Sequence, residues 1–311
     1  MTKKPIDQLV IIGPTATGKT ILAANMAIKL NGEIISADSR QIYRGMDLGT
    51  GKDLADYTVN GISVPHHLID IIDAGEKYNV FQCQSDFLKA YTAIREKGKL
   101  PILCGGSGMY IEAVLKGYKL IDVPNNEPLR TELEQLDLPE LTAKLAKMKP
   151  LHNKTDVDTK DRAIRAIEIA TYYASQPTTD LDFPAINSLI IGIELDRQTV
   201  KNRITERLKQ RLRQGMIDEV QALLNKGVPA EVLVYYGLEY KFITQYLAKE
   251  FSYNTMVSTL NVAIHQFAKR QMTWFRKMER EGFNIHWLDG NAAMEEKIKE
   301  VMELIQNARR F

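Results

Sequence analysis

Residues 13–20 read Gly13-Pro14-Thr15-Ala16-Thr17-Gly18-Lys19-Thr20, which matches the pattern G-x-x-x-x-G-K-[ST]. The apolar run 9–12 precedes them and residues 21–27 have helical composition, so the pattern stands between a strand and a helix, as a phosphate-binding loop requires. Glycine lets backbone N–H groups wrap a phosphate, and a helix N-terminus adds about half a positive charge. We therefore predict that this loop binds a polyphosphate, with Lys19 reaching an outer phosphate and the Thr20 hydroxyl holding Mg²⁺.

The bulk composition narrows the class of protein. The 311 residues suffice for one large or two modest domains. The 41 basic and 39 acidic residues nearly cancel, so net charge argues neither for nor against a nucleic-acid partner. Cys83 and Cys104 lack C-x-x-C spacing, which indicates a reducing compartment and no zinc site. Without a signal peptide or an apolar run of about 18 residues, we expect a soluble, cytoplasmic protein that makes no membrane contact.

Short apolar runs alternate with helical stretches along the chain. The predicted strands are 9–12, 33–37, 101–106, 188–195 and 285–288. The predicted helices include 85–97, 197–227, 253–278 and an amphipathic helix after the last strand. This alternation is typical of a parallel sheet covered on both faces. The sequence therefore predicts an α/β fold, with a P-loop NTPase-like parallel sheet and helices on both faces.

A second kind of segment interrupts this alternation. Residues 123–128 and 176–184 have the composition of linkers, and they bracket a helical pattern. Leu138, Leu141, Leu145 and Met148 recur at helical spacing, and a second helix follows around Ile164 and Ile167. We predict a small all-helical insertion domain at 122–185 within a catalytic core formed by 1–121 and 186–311.

Polar residues follow two of the predicted strands. Asp38 comes directly after the second strand and Ser107 after the third, and the carboxyl ends of parallel strands share one ligand crevice. Asp38 is a candidate general base, or a metal contact through water; alternatively it caps a turn. Ser107 offers a hydroxyl, or belongs to a plain strand-to-helix turn. His66 and His67 are adjacent, so their side chains diverge, and we expect a structural or substrate-lining role for them.

Three segments are locally basic. Arg203, Arg207 and Arg211 are spaced for one helical face, and Arg162 and Arg165 share a face in the insertion. Residues 269–277 mix cations with aromatic residues, a composition suited to nucleic-acid backbone contact and base stacking. Each segment alone is compatible with a solvated charged face. Together, beside a phosphate loop, they favour a nucleic-acid partner.

Over nearly its whole length the sequence resembles the bacterial tRNA dimethylallyltransferases. The matching segments are GPTATGKT (13–20), DSRQIYRGMDLGTGK (38–52), HHLID (66–70), GGSGMYI (105–111), DRAIRAIEI (161–169), RITERLKQRLRQGMIDEV (203–220) and AKRQMTWFR (268–276). The resemblance implies transfer of a dimethylallyl group from dimethylallyl diphosphate to the exocyclic amine of adenosine 37 in tRNA, with release of diphosphate. It implies a P-loop-type core with a mobile helical insertion.

The resemblance also implies roles for individual residues. The loop Gly13–Thr20 binds diphosphate with Mg²⁺, and Arg203 and Arg207 match a diphosphate-neutralising helix without showing which makes contact. Asp38 is the catalytic base, with Lys19 and Ser107 as further catalytic residues; Ser107 stands where the family usually has threonine. The anticodon stem-loop of tRNA is implied to contact Asp38, Ser39, Arg40, Gln41, Arg130, Asp161, Arg162, Ala163, Ile164, Arg165, Lys269, Arg270, Gln271, Trp274 and Arg276. We expect the chain to act as a monomer.

Three other functions stay open from the sequence. A small-molecule kinase would use the loop for ATP, with Asp196 as its metal-associated acid. An adenylate isopentenyltransferase would share the diphosphate site but accept a nucleotide, and a non-catalytic P-loop RNA-binding protein would not need Asp38. The chain departs from the family pattern at 51–53, at 236–241 and in the helix after Tyr78, which affects the expected tRNA contacts more than the chemistry.

Overall fold

The computed structural model describes residues 5–118, 120–151, 155–175 and 183–310. The strands are β1 (Gln8–Ile12), β2 (Gly32–Ala37), β3 (Tyr43–Arg44), β4 (Thr58–Val59), β5 (Ile62–Ser63), β6 (His66–His67), β7 (Ile72–Asp73), β8 (Leu100–Gly105), β9 (Ser188–Glu194) and β10 (Ile285–Asp289). The α-helices are α1 (Lys19–Leu30), α2 (Val80–Glu96), α3 (Gly108–Lys116), α4 (Glu127–Leu133), α5 (Leu138–Met148), α6 (Lys160–Ser175), α7 (Arg197–Arg213), α8 (Met216–Asn225), α9 (Ala230–Tyr236), α10 (Leu238–Leu247), α11 (Tyr253–Arg280) and α12 (Met294–Arg310).

A six-stranded parallel sheet forms the centre of the larger unit. Its strand order is β10-β9-β1-β8-β2-β6, and every neighbouring pair is parallel. The five predicted strands are confirmed, and the two histidines of β6 add a short sixth strand beside β2. The strands β3 and β7 form a separate parallel pair, while β4 and β5 form a small hairpin. The predicted α/β fold with a parallel sheet is confirmed.

Helices cover both faces of this sheet. Leu9 and Ile11 of β1 lie in a core that includes Leu22 of α1 and Val301 of α12. Their neighbours in β1 alternate to the opposite face and are also fully buried. The helix α2 contacts β2 and β8 there, and its Phe87 is fully buried. Burial on both faces explains why the strands are continuous apolar runs in the sequence.

The chain divides into two compact units, Met1–Gly117 with Ala185–Phe311, and Tyr118–Pro184. In the smaller unit, α4, α5 and α6 share a core that includes Leu133, Leu141 and Ile167, each fully buried. The prediction of a linker at 123–128 was wrong for its last two residues, because α4 begins at Glu127, with Asn126 accepting a hydrogen bond from the backbone N–H of Leu129 at 3.1 Å. Most of the other predicted linker, 176–182, lies outside the described residues.

The predicted helix 197–227 is divided in two. Gly215 has φ of 98°, a left-handed conformation that ends α7 and starts α8. The helices α9 and α10, which the sequence analysis did not predict, pack against each other, and α10 also packs against α8 and α11. In the part of the chain that the structure describes, no helix has the length and apolar character that crossing a membrane requires.

Candidate active site

The phosphate loop connects β1 to α1 in a conformation that depends on glycine. Gly18, directly before α1, has φ of 83°, in the left-handed region that favours glycine. The buried Thr17 hydroxyl donates to the Pro14 carbonyl at 2.9 Å and thereby closes the loop on itself. The predicted order of strand, loop and helix is therefore confirmed, and α1 directs its N-terminus towards the loop.

The loop opens onto a cavity that the carboxyl ends of β2 and β8 also reach. The residues lining this cavity are Thr15, Ala16, Gly18, Lys19, Thr20, Asp38, Gln41, Thr50, Gly51, Asp53, Asp56, Tyr57, Cys104, Gly105 and Arg207. The structure thus brings eight of the predicted site residues to one place from three different segments, among them Lys19, Asp38 and Arg207.

Two cations, Lys19 and Arg207, face this cavity, and neither forms an ion pair with a described residue. Burial lowers the pKa of Lys19, although the nearby carboxylate of Asp38 works in the opposite direction. Burial lowers the pKa of Arg207 to about 10, so its guanidinium is still protonated at neutral pH. The Arg207 guanidinium donates to the Thr15 hydroxyl, and among the described residues no carboxylate lies within ion-pair distance of it. Partly buried cations without a carboxylate partner favour an anionic ligand.

The two candidate arginines of α7 differ in position. Arg207 lines the cavity, whereas Arg203, one helical turn earlier, is exposed. Arg203 lies near Lys297 of α12: burial lowers the pKa of Lys297, and the positive charge of Arg203 lowers it further. Sequence spacing placed both on one helical face and did not distinguish them. The geometry favours Arg207 as the contact to a bound anion.

Asp38 and Ser107 lie in adjoining turns. The Asp38 carboxylate accepts a hydrogen bond from the backbone N–H of Arg40 at 2.9 Å, so it does organise a turn. It also lines the cavity, and these two roles are compatible because a carboxylate has two oxygens. The Ser107 hydroxyl accepts from the backbone N–H of Ser39 at 2.9 Å. Ser107 therefore joins the turn after β8 to the turn after β2.

The loop between β3 and β4 is held by residues that the sequence analysis did not identify. The Lys52 side chain is fully buried and donates to the Tyr43 carbonyl and to Asp47, both at 2.8 Å, and to Asp70. Glu219 of α8 accepts hydrogen bonds from the backbone N–H groups of residues 47, 48 and 49, at 2.7 to 3.0 Å. No local sequence signal identifies Glu219, because the loop it holds lies about 170 residues earlier.

Residues 51–53, where the chain departs from the family pattern, lie against Arg211. Arg211 of α7 is buried and pairs with the carboxylate of Asp53 at 2.8 Å. Gly51 has φ of 71°, and a Cβ there would lie 2.7 Å from the Arg211 guanidinium. Arg211, the third arginine of the predicted basic row, is therefore committed to this loop.

The residues of α11 that were predicted to contact nucleic acid fall into two groups, one exposed and one packed within the protein. Lys269 and Arg270 are exposed, whereas Gln271 is buried and contacts the phosphate loop. Arg276 pairs with Glu194 at 2.8 Å. The Trp274 ring packs against Gly108, where a Cβ would lie 2.4 Å from it. Lys269 and Arg270 are thus the cations of this segment that are most available to a partner.

The residues of the smaller unit that were predicted to contact tRNA also differ in exposure. Arg130 forms a two-pronged pair with the buried carboxylate of Glu168, at 2.6 and 2.8 Å, and Arg165 donates to the Val123 carbonyl and to Glu168. The side chains of Asp161 and Arg162 are exposed, and Arg162 pairs with Asp158 at 2.6 Å. Ala163 and Ile164 are buried in the core of this unit. Of the predicted arginines in this unit, Arg162 is the most exposed.

The family model described as IPP transferase matches residues 41–278, more than half of the chain. The chain belongs to the IPP transferase family. It is 59% identical over 306 residues to the tRNA dimethylallyltransferase 2 of Bacteroides fragilis, an alignment that covers 98% of this chain and 99% of that protein.

Solved structures of IPP transferases have the same fold. The tRNA isopentenylpyrophosphate transferase of Bacillus halodurans superposes with a TM-score of 0.72 at 35% identity, covering 97% of this chain and 96% of that one. The corresponding Staphylococcus epidermidis structure gives 0.69 at 31% identity, covering 98% and 99%. The predicted family resemblance is confirmed.

For an IPP transferase, a metal site must be built from oxygen if it is to hold Mg²⁺. Thr20, Asp38 and Asp56 offer oxygen atoms to one cavity. Within the described ranges, no cluster of three or more His, Cys, Asp or Glu side chains is arranged to hold a metal alone. The residues present therefore fit an ion that takes part of its ligand set from a bound polyphosphate. His66 and His67 make separate contacts, to the Val64 carbonyl and to Glu33.

Asp196, the metal-associated acid expected if the protein were a small-molecule kinase, lies outside this cavity. Asp196 caps α7, where its carboxylate accepts from the backbone N–H groups of Gln198 and Thr199 at 2.9 and 3.0 Å. It borders a different pocket, beside Trp287 and Asp289, and is not among the residues that line the cavity of this IPP transferase.

Proposed function

We propose that this protein transfers a dimethylallyl group from dimethylallyl diphosphate to the exocyclic amine of adenosine 37 in tRNA and releases diphosphate. The observation that carries the proposal is the convergence of the phosphate loop, Asp38 and Arg207 on one cavity. Family membership and the names of close relatives support the same reaction. The chemistry is alkyl transfer, because the amine nitrogen bonds to carbon and the carbon–oxygen bond to diphosphate breaks.

The phosphate loop and two cations bind the diphosphate in this proposal. The backbone N–H groups of residues 16–20 and the N-terminus of α1 suit an anion, and Lys19 and Arg207 add positive charge within the same cavity. The leaving diphosphate takes the electron pair of the broken bond, so its negative charge grows in the transition state. Preorganised donors and cations stabilise that charge more than they stabilise the ground state.

We propose that Thr20 holds Mg²⁺ together with the diphosphate, with Asp38 or Asp56 in position to contact the ion through water. The ion would supply further charge neutralisation for the departing diphosphate. The support is the oxygen-rich lining described above.

Asp38 acts as the general base. The adenine amine is a poor nucleophile because its lone pair is delocalised into the ring. As the nitrogen–carbon bond forms, one amine proton passes to the Asp38 carboxylate, which relieves the developing positive charge. The turn hydrogen bond to Arg40 fixes the orientation of this carboxylate. Ser107 positions the neighbouring turn through Ser39.

The anticodon stem-loop of tRNA is the proposed macromolecular substrate. Adenosine 37 must leave the base stack to reach a cavity, at a cost of a few kcal/mol. Exposed cations at Arg162, Lys269 and Arg270 are suited to hold the loop backbone. The 122–185 segment is the proposed tRNA-contacting insertion, and we propose that the enzyme works as a monomer.

The decisive experiment offers three combinations of acceptor and donor to the purified enzyme. Unmodified tRNA with dimethylallyl diphosphate and Mg²⁺ should gain one dimethylallyl group at adenosine 37, detected by mass spectrometry of nuclease fragments. AMP with the same donor should stay unmodified, and tRNA with ATP should gain neither a prenyl nor a phosphoryl group. Prenylated AMP would indicate an adenylate isopentenyltransferase, and ATP-dependent phosphorylation would indicate a kinase.

The phosphate loop can be tested in the same assay. Replacing Lys19 with alanine removes a charge that binds the diphosphate in the ground state and interacts more strongly as negative charge grows in the transition state, so the KM for dimethylallyl diphosphate should rise and kcat should fall. Wild-type values of both constants would remove the loop from the mechanism.

A further inference from the structure

Gln271 joins the phosphate loop to the turn after β8. Its side-chain Oε1 accepts a hydrogen bond from the backbone N–H of Thr15 at 2.9 Å. Its Nε2 donates to the Gly106 carbonyl, also at 2.9 Å. One amide side chain therefore bridges two loops that are distant in the sequence, and both of its polar ends are used.

The surroundings of Gln271 leave it little freedom. The residue is 8% exposed, and a Cβ on Gly106 would lie 2.4 Å from its Nε2. One helical turn further along α11, the Trp274 ring packs against Gly108, at the end of the segment that follows β8. The helix α11 is thus seated on the Gly105–Gly108 turn at two successive positions.

The two loops that Gln271 bridges carry different parts of the proposed reaction. The loop from residue 13 to 20 carries Lys19 and Thr20, which are proposed to bind the diphosphate. The turn after β8 carries Ser107, whose hydroxyl holds Ser39 beside Asp38. The distance between the leaving group and the base therefore depends on how these two loops are held relative to each other.

We propose that Gln271 is a positioning residue that fixes the phosphate loop relative to the turn carrying Ser107, and so sets the alignment of the allylic diphosphate with Asp38. This inference rests on the proposed function. It differs from the tRNA contact predicted from the sequence, because the side chain is buried and both of its polar ends are bonded within the protein. The exposed neighbours Lys269 and Arg270 keep that role.

The expected effect is on the chemical step. Misplacing reacting groups by about 1 Å lowers rates by up to about 100-fold even when binding is preserved. Replacing Gln271 with methionine keeps the side-chain length and removes both hydrogen bonds. We expect the single-turnover rate at saturating tRNA and dimethylallyl diphosphate to fall about 10- to 100-fold, with tRNA affinity and its salt dependence unchanged.

A readout independent of catalysis tests the bridge itself. Hydrogen–deuterium exchange of a peptide covering residues 13–20 should be faster in Gln271→Met, because the Thr15 N–H loses its acceptor. In Gln271→Glu the acceptor remains, so protection of this peptide should be close to that of the wild type. If Gln271→Met does not fold, Gln271→Glu carries the kinetic test, because it still removes the donor to Gly106 and should lower the single-turnover rate about 10-fold.

Gln266→Met is the matched control, since Gln266 is an exposed glutamine on the same helix. It should match the wild type in rate, exchange and tRNA affinity. A Gln271→Met enzyme with a wild-type single-turnover rate would overturn the inference, as would a loss confined to tRNA affinity. Failure of the proposed function is separate, because then the wild-type enzyme itself would transfer no dimethylallyl group.

Discussion

The guanidinium of Arg207 donates a hydrogen bond to the hydroxyl of Thr15, so α7 contacts the phosphate loop directly. The backbone N–H of the same threonine is held by Gln271 of α11. Two long helices from the C-terminal half of the chain therefore meet at the third residue of the loop. A diphosphate that binds there must interact with Arg207, or displace its guanidinium from the threonine.

The first prediction separates the two arginines of α7. Arg207→Gln should weaken binding of dimethylallyl diphosphate about 10- to 100-fold, because a hydrogen bond to a charged group contributes about 1.5 to 3 kcal/mol. Arg203→Gln should bind it like the wild type, because that side chain is exposed and lies outside the cavity. Calorimetric titration of both variants with the diphosphate measures the difference. Equal losses in the two variants would contradict the assignment.

Asp38→Asn tests the general base. Asparagine preserves the shape and can still accept the hydrogen bond from the Arg40 N–H, but it cannot take a proton at neutral pH. Single-turnover prenyl transfer should fall about 10²- to 10⁴-fold. The affinities for tRNA and diphosphate should change little, since the loss is confined to the transition state. If Asp38 only organised its turn, the variant would keep that hydrogen bond, melt at about the wild-type temperature and remain active.

The third prediction concerns tRNA affinity. Lys269→Ala and Arg270→Ala should each reduce the slope of log affinity against log salt concentration by about one unit, because each is expected to neutralise one phosphate. Diphosphate affinity should be unaffected. Lys89→Ala is a suitable control, because Lys89 is exposed on α2, outside the predicted tRNA surface, and pairs with Asp86. Slopes equal to that of the control would identify Lys269 and Arg270 as ordinary solvated charges.

A fourth prediction addresses stability at the edge of the sheet. Burial alone would raise the pKa of Glu33, but hydrogen bonds from Lys99, His67 and Lys97 outweigh it and lower the pKa to about 2. A depressed carboxylate pKa stabilises the fold above its unfolded value of about 4.5, and this contribution is lost as pH falls from there towards 2. Glu33→Gln should therefore cost about 1 to 3 kcal/mol at pH 7 and progressively less below pH 4.5.

Denaturant unfolding across this pH range measures the effect of Glu33. Glu96→Gln is the control, because Glu96 is exposed at the end of α2. A constant difference between Glu33→Gln and the wild type from pH 7 down to pH 3 would show that the ionised carboxylate makes no net contribution.

The central sheet and the phosphate loop were predictable because their signals are local. A strand buried on both faces is a continuous apolar run, and the loop has a fixed spacing of glycine and lysine. The two-residue strand β6 is too short to produce a pattern, and Gly215 divides a helix that composition alone presents as continuous. Parts of the site that depend on distant partners left no such signal. Glu219, the Arg211–Asp53 pair and the inward direction of Gln271 became evident only once the chain was folded.

The central position of β1 determines the order in which the site can form during synthesis. This strand lies between β8 and β9, so one of its edges has no partner until residues 188–194 have been made. Ser188 of β9 follows Ile12 of β1 by 176 residues, or about 9 to 35 seconds at usual ribosomal rates of about 5 to 20 residues per second. For that interval the nascent chain presents an apolar strand edge on which other chains can pair. A fragment that ends before β9 should therefore aggregate, and it would also lack the Arg207 and Gln271 side chains that contact the phosphate loop.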